Sequence, residues 1–224
     1  LKMNFFKTSF FSGIGTAINL VTKLITNKIV AVYLSTEGMF LLGQLKDFLK
    51  VSHVISNLGT VNGTIKYTAQ YHHDETQFKA ILGTSFKIHF YFSVIVLFVL
   101  LMFNESLSYY LFKNTDYANF LIVLGFSIVS VSIQTLFLTI LNGLGRVKVY
   151  VLINAISAIL GAIIMVFLIL NFDIKGALYA FAINQFLAFL ITVIILLIYK
   201  PFQLTLLFSS FNLNQFKKLS KYSI

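Results

Sequence analysis

Four stretches of this chain contain no Asp, Glu, Lys or Arg: residues 88–104, 117–145, 149–172 and 176–199. A helix rises about 1.5 Å per residue, so ~20 residues cross a hydrocarbon layer ~30 Å thick. The last three runs reach that length alone, and the half-polar residues before residue 88 complete the first. Inside a bilayer every backbone polar group needs a partner within the protein, which leaves helices as the solution for runs of this kind. The composition agrees, with 58% hydrophobic and 11% charged residues and one proline in 224. A soluble domain of that composition has too little polar surface to cover its core.

Two further spans are less hydrophobic, and with them the sequence predicts an all-α polytopic membrane protein. Its six transmembrane helices are expected at 8–34, 40–68, 78–103, 118–143, 149–171 and 176–199, forming one lobe over residues 1–200. The first is too long for a signal peptide and leads directly into another span. The connections are short, so no extramembrane domain fits between spans. Residues 201–224 read as a cytoplasmic linker leading into an incomplete seventh helix, or equally as an amphipathic interfacial helix ending in Lys217, Lys218 and Lys221. The chain begins with Leu1 and its first methionine is Met3, which together suggest a fragment or a truncated frame.

The net charge of +10 is mostly a topology signal. With the N-terminus inside and the helices alternating, the inner segments hold Lys2, Lys7, Lys66, Lys79, Arg146, Lys148, Lys200, Lys217, Lys218 and Lys221. The outer segments hold Lys113 and Lys175 beside Glu37, Glu105, Asp116 and Asp173. This positive-inside bias puts both termini in the cytoplasm. No basic arm points to nucleic acid.

Charges within the spans carry the functional information. Lys23, Lys28, Lys46, Lys50, Lys87 and Asp47 lie in stretches that otherwise read as membrane-spanning. A charge at the bilayer centre costs about 2.5–3.5 kcal/mol on an insertion scale, so these groups face protein or a wet cavity, and that excess of cations suits an anionic passenger. In the second span Lys46, Lys50, His53, Asn57, Thr60, Thr64 and Thr68 recur at helical spacing and fall on one face. Asp47 at the edge of that stripe is placed to neutralise Lys50 three residues on. The first span repeats the pattern with Thr8, Ser12, Thr16, Asn19, Lys23, Thr26 and Asn27, while Lys28 lies nearly opposite Asn19. Gln134 follows Ser127 and Ser130 on the fourth span; the fifth and sixth add Asn154, Ser157, Asn184 and Gln185. Gly59 and Gly63 form a GxxxG, a pattern common to packed membrane helices.

From these residues the expected cavity ligands are Lys23, Lys46, Lys50, Asn19, Asn57 and Gln134, with Asp47 and His53 as candidates for proton coupling. Stripes of Ser and Thr also serve as plain helix–helix glue. With no cysteine, thiolate chemistry and Cys-based metal sites are excluded. One carboxylate within the spans is too few for a metal-dependent glycosyltransferase or phosphatase, and no phosphate-loop sequence is present. No catalytic residue, metal or cofactor is expected.

Three segments resemble a known family: Leu42-Gly-Gln-Leu45, then Val61-Asn-Gly-Thr-Ile-Lys-Tyr-Thr-Ala-Gln-Tyr71, the most specific, and Leu111-Phe-Lys-Asn-Thr-Asp-Tyr117. They are similar to the Wzx-type polysaccharide flippases of the multidrug/oligosaccharidyl-lipid/polysaccharide exporter superfamily. The similarity is greatest to those handling undecaprenyl-diphosphate-linked O-antigen or enterobacterial common antigen units, and it runs on to Tyr222. Met39-Phe40 after Glu37-Gly38 departs from a more glycine-rich turn in that family. The resemblance implies two six-helix lobes around a cationic cavity, alternating access, and a bacterial inner-membrane location. This chain would be the first lobe. Implied partners are the lipid-linked oligosaccharide, membrane lipids, the missing C-terminal half, and the polymerase and chain-length proteins of glycan assembly. The competing readings are a drug or cation exporter of the same superfamily and a non-transporting membrane subunit of a glycan-assembly complex.

Overall fold

A computed structural model of the chain describes residues 5–221, with side chains from Phe10 onward. Lys2, Lys7, Thr8 and Tyr222 therefore lie outside the described residues or their described side chains. Among the described residues the chain is helical throughout, without a strand. In order, the helices are α1 (Phe5–Tyr33), α2 (Thr36–Asn57), α3 (Val61–Tyr71), α4 (Glu75–Met102), α5 (Asn104–Phe112), α6 (Ala118–Gly143) and α7 (Val147–Tyr199). A 3-10 turn (Leu204–Phe208) and α8 (Leu213–Ser220) follow. Among these, α4, α6 and α7 are long and apolar enough to cross a membrane.

Local chemistry sets the ends. Ser35 Oγ accepts from the Gly38 amide at 3.3 Å and caps α2, while the Asp74 carboxylate accepts from the Gln77 amide at 3.0 Å and caps α4. The 53 residues of α7 are two helices folded back on each other at Asp173, which sits at φ 51°, ψ −132°. The reversal is visible in a hydrogen bond: Asn184 Nδ2 donates to the Gly161 carbonyl at 3.1 Å across 23 residues. A straight helix would hold those groups about 35 Å apart. Gly176 faces the Leu168 carbonyl directly, so the fold-back has no room for a side chain there.

The second predicted span, 40–68, is not one helix. It stops at Asn57, passes through Leu58 (φ 48°) and Gly59 (φ 64°) in the left-handed region, and restarts at Val61. Asn57 builds the break, its Oδ1 accepting from the Gly59 amide at 2.8 Å and its carbonyl from the Thr60 hydroxyl at 2.7 Å. Gly59 thus serves the break and is not one half of a packing motif. Gly63 makes a close approach to the Leu219 backbone of α8.

Packing follows from this trace: α1 lies on α7, α6 on α4 and α7, and α3 in the angle of α4 and α6. Two large apolar cores result, beside a small third one around Ile81, Ile88 and Leu219. One gathers Leu42, Leu45, Leu121, Leu124, Ile128 and Ile169; the other gathers Leu136, Ile140, Leu141, Ile153, Leu196 and Leu207. Small polar residues join the helices between them. Ser132 Oγ shares its proton between the Ser56 and His89 carbonyls, each at 3.2 Å, and His89 Nδ1 donates to the Ser132 carbonyl at 2.9 Å. Thr64 bonds Ser85 at 3.1 Å.

The ends differ in charge. Residues around α3–α4, α6–α7 and α8 bring Lys79, Arg146, Lys148, Lys200, Lys217 and Lys218 to one end, where Lys148 reaches the Phe11 ring near the start of α1. The opposite end carries Glu37, Asp116 and Asp173 beside Lys113 and Lys175, and there the Tyr117 phenol is pushed above its ordinary pKa, first by burial and then by Asp116 and Glu37. The segment after Pro201 packs back on the lobe. Leu207 and Leu219 are buried, Gln215 Nε2 donates to Gln77 Oε1 at 2.5 Å, and Lys218 Nζ donates to the Tyr71 hydroxyl at 3.2 Å.

A side chain at Gly143 would meet the Ile65 carbonyl at 2.8 Å and Thr68 Cβ at 2.7 Å, while one at Gly43 meets nothing within 4 Å. Gly143→Ala is therefore expected to destabilise the lobe by about 1–3 kcal/mol and Gly43→Ala to leave it unchanged or slightly better. Thermal unfolding midpoints in detergent check both.

Candidate functional site

Where the two cores part, five helical segments leave a cavity of about 570 Å3. Each wall is one face of a helix. α1 presents Asn19, Thr22, Lys23, Thr26 and Asn27; the first half of α7 presents Asn154, Ser157, Ala158, Gly161, Ala162 and Met165; the second half presents Phe181, Asn184, Gln185 and Ala188. These spacings of three and four are those of a single helix face. Val131 and Gln134 come from α6, and Lys46 from α2. The small residues 158, 161, 162 and 188 make the hollow, because larger side chains there would fill it.

Of the expected ligands, the fold brings Asn19, Lys23, Lys46 and Gln134 together on this cavity. Gln134 is buried, while Lys23 and Lys46 are exposed on the open side. Lys46 Nζ lies 5.8 Å from the centre of the Phe181 ring, across the cavity wall from α2 to α7. Lys50, Asp47, His53 and Asn57 do not line it. Lys50 Nζ instead donates to Asp47 Oδ1 at 2.8 Å, with both side chains 76% exposed, so its charge is locally offset. Asn57 is used in the helix break. Nor does the polar stripe of the second span form one cavity wall. The break at Leu58–Gly59 reorients the chain, and Thr60, Thr64 and Thr68 are fully buried among neighbouring helices.

Electrostatically the cavity has two cationic groups, and no carboxylate is among its described lining residues. Three of its amides share one wiring. Asn19 Nδ2 donates to the Gly15 carbonyl at 3.0 Å, Asn154 Nδ2 to the Tyr150 carbonyl at 2.8 Å, and Asn184 Nδ2 to the Gly161 carbonyl at 3.1 Å. Thr22 and Thr26 likewise donate to carbonyls one turn back in α1. Each of these amide bonds uses one of two N–H groups, so the three asparagines keep one donor and the carbonyl oxygen for other partners. Ser157 Oγ, Asn184 Oδ1 and Gln185 Oε1 are shut off from solvent and have no partner among the described residues.

Sequence reasoning gave no role to Phe181 or Thr22, nor to the small residues of α7. The available signal was Asn154, Ala155, Ser157, Ala158, Gly161 and Ala162 clustered in an otherwise bulky apolar run. It also passed over His89, which is wholly buried in the α2–α4–α6 junction.

Several known proteins are similar to this chain in sequence or in architecture. The profile of a family described as "Polysaccharide biosynthesis protein" matches residues 5–224. A protein of Escherichia coli (strain K12) named Lipid III flippase is 27% identical over 162 residues, which is 72% of this chain and 38% of the relative; the Shigella flexneri protein of that name matches equally. Among solved structures, a MOP superfamily transporter from Pyrococcus furiosus superposes with a TM-score of 0.77 at 18% identity, over 96% of this chain and 49% of that one. An outward-facing MATE family transporter of the same superfamily superposes with a TM-score of 0.74 at 18% identity, over 92% and 48%. The chain thus spans 38% of the curated relatives and about half of the solved transporters.

Because the chain lacks cysteine, single cysteines can map water access. Asn154 lines the cavity and Ile163, on the same helix but opposite, is 59% exposed away from it. Asn154→Cys is expected to react at least tenfold faster than Ile163→Cys with a membrane-impermeant thiol reagent in lipid vesicles, since thiolate forms only in water (about pKa 8.5). Equal rates would show that the cavity is dry.

Proposed function

The chain belongs to the polysaccharide biosynthesis protein family, and from that premise we propose that it forms one lobe of a flippase for lipid-linked oligosaccharide. Its cargo in this reading is an undecaprenyl-diphosphate-linked repeat unit of the O-antigen or enterobacterial common antigen kind, moved from the cytoplasmic to the periplasmic leaflet of a bacterial inner membrane. The observation that carries the proposal is the pair Lys23 and Lys46 on the open side of a polar cavity with no lining carboxylate among the described residues.

The physical logic separates the two ends of the cargo. The polyprenyl tail is as apolar as the acyl chains and stays among them. The diphosphate and sugars need a path that replaces water, because an ion moved bare into hydrocarbon loses far more than any protein contact returns. Ammonium groups meet that need, since each is a point charge with rotatable donors and follows a moving phosphate without a fixed two-point geometry. The open face of the cavity would be completed by a second lobe, as the half-coverage of the solved transporters supports. Rocking of the lobes would then expose the cavity to each side in turn. The basic end of the lobe would face the cytoplasm with both termini. Asp47 and His53 stay candidates for proton coupling, although neither lines the cavity. The polymerase and chain-length proteins of glycan assembly are natural partners for such a carrier. A drug or cation exporter is disfavoured, because cationic cargo calls for carboxylates where this cavity has lysines.

In a complete two-lobed transporter carrying this lobe, Lys23→Ala with Lys46→Ala is expected to cut glycolipid translocation at least a hundredfold while membrane insertion is kept. Lys50→Ala, whose charge is already paired with Asp47, is expected to lose less than fivefold. Leaflet-specific glycan labelling in cells measures both. Normal translocation by the double variant removes the basis of the proposal.

A further inference from the structure

The residues after Pro201 are seated along the first turns of α4 and on α3. Ser209 Oγ donates to the Lys79 carbonyl at 2.6 Å, and the Asn212 amide donates to the Thr84 hydroxyl at 3.1 Å. Gly83 admits the segment, since a Cβ there would stand 2.8 Å from the Ser209 carbonyl. On α8 the buried Gln215 reaches Gln77, and the backbone at buried Leu219 lies against Gly63. These bonds fix which side faces away. Leu213, Lys217 and Lys221 follow at four-residue spacing on the side of α8 opposite Gln215 and Leu219, and all three are exposed. Phe211 just before them is exposed too, and Phe208 is 74% exposed.

The depth of this face is set by its neighbour. The charge-free run of α4 begins at Ile88, straight after Lys87, and the three hydrogen bonds to α4 fall on residues 77–84, on the charged side of that border. Phe208 marks the border itself: its ring lies 5.2 Å from Phe86, which stacks in turn on Phe90 at 6.0 Å. Water penalises the bare phenylalanines and Leu213, and hydrocarbon penalises the lysines. A headgroup layer over upper acyl carbons suits both. Charge then selects the lipid, because residues 201–221 carry Lys217, Lys218 and Lys221 and no Asp or Glu. Lys218 is engaged by the Tyr71 hydroxyl, which leaves Lys217 and Lys221 for headgroups.

We propose that residues 204–221 form a pre-seated strap at the membrane surface, whose outward face (Phe208, Phe211 and Leu213 with Lys217 and Lys221) rests in the headgroup layer and selects anionic phospholipid. The apolar side chains reach the upper acyl carbons, and the two ammonium groups pair with phosphates of negatively charged lipids. The strap is already folded on the lobe, so this contact orders no helix, unlike the docking of a free amphipathic peptide. The inference stands whatever the cavity carries.

The chain has no tryptophan, so single replacements report on this face alone. Phe208 and Leu213 are both exposed, and a tryptophan at either displaces no buried side chain. Phe208→Trp and Leu213→Trp are each placed in the full chain in nanodiscs of phosphatidylcholine with a minority of phosphatidylglycerol. Lipid brominated at the upper acyl carbons is expected to remove about half of each emission, and acrylamide to quench about threefold less than it quenches free N-acetyltryptophanamide. With bromine on phosphatidylglycerol alone, quenching of Leu213→Trp is expected to be about twofold that given by an equal share of brominated phosphatidylcholine. Adding Lys217→Gln and Lys221→Gln, or raising the salt, should abolish that excess. If either tryptophan is open to acrylamide and untouched by brominated lipid, the face lies in water and the proposal fails. Shielding from both quenchers overturns it as well, because another protein surface or a second copy then covers the face. Equal quenching by the two brominated lipids overturns the selection of anionic lipid.

Discussion

The absence of water in the hydrocarbon layer governs this molecule. Every amide, hydroxyl and ammonium at membrane depth has to meet a protein group or a wet space, and the described structure can be followed by asking where each one goes. Single hydroxyls donate back to their own helix, as Thr135 and Thr192 do. Serines and threonines at crossings bond a neighbouring helix, as Ser132 and Thr64 do. Two lysines and a set of amides collect where the apolar core divides, and there they line the cavity.

Much of this was legible from the chain alone, for identifiable reasons. Runs such as 149–172 and 176–199 are unambiguous because a bilayer punishes every charge, so helix placement needs no tertiary information. Lys23 and Lys46 stood out for the same reason, and Asn19 and Lys23, which share a face by helical spacing, line one cavity in the fold. The second span was misread as continuous because nothing in its composition announces a left-handed leucine. Asn57 and Gly59 were counted as cavity and packing residues when together they make a turn. Once the helix stops there, the phase of the stripe is lost, and Thr60 to Thr68 pack where Lys46 does not. Lys50 was misassigned to the cavity because periodicity gives a direction around a helix but says nothing of how far along it the neighbouring helices leave a gap.

The α7 wall shows the opposite failure. Asn154, Ser157, Asn184 and Gln185 were visible but carried no charge, and a neutral polar residue in a membrane helix is usually glue. The orientation of Asn154 and Asn184 depends on hydrogen bonds to carbonyls at Tyr150 and Gly161, the second of which is met only because the chain doubles back at Asp173. No linear reading contains that partner.

The bend between α2 and α3 has a mechanical meaning. A discontinuity in a transmembrane leg is often a joint, but this one is bolted from within: the Ser56 carbonyl, just before the bend, is held by Ser132, and Thr64, just after it, is held by Ser85. Straightening the leg would strand the Ser56 carbonyl and break the Thr64–Ser85 pair in a medium with no substitute for them. The crooked leg is accordingly a fixed elbow, fastened on both sides of its bend.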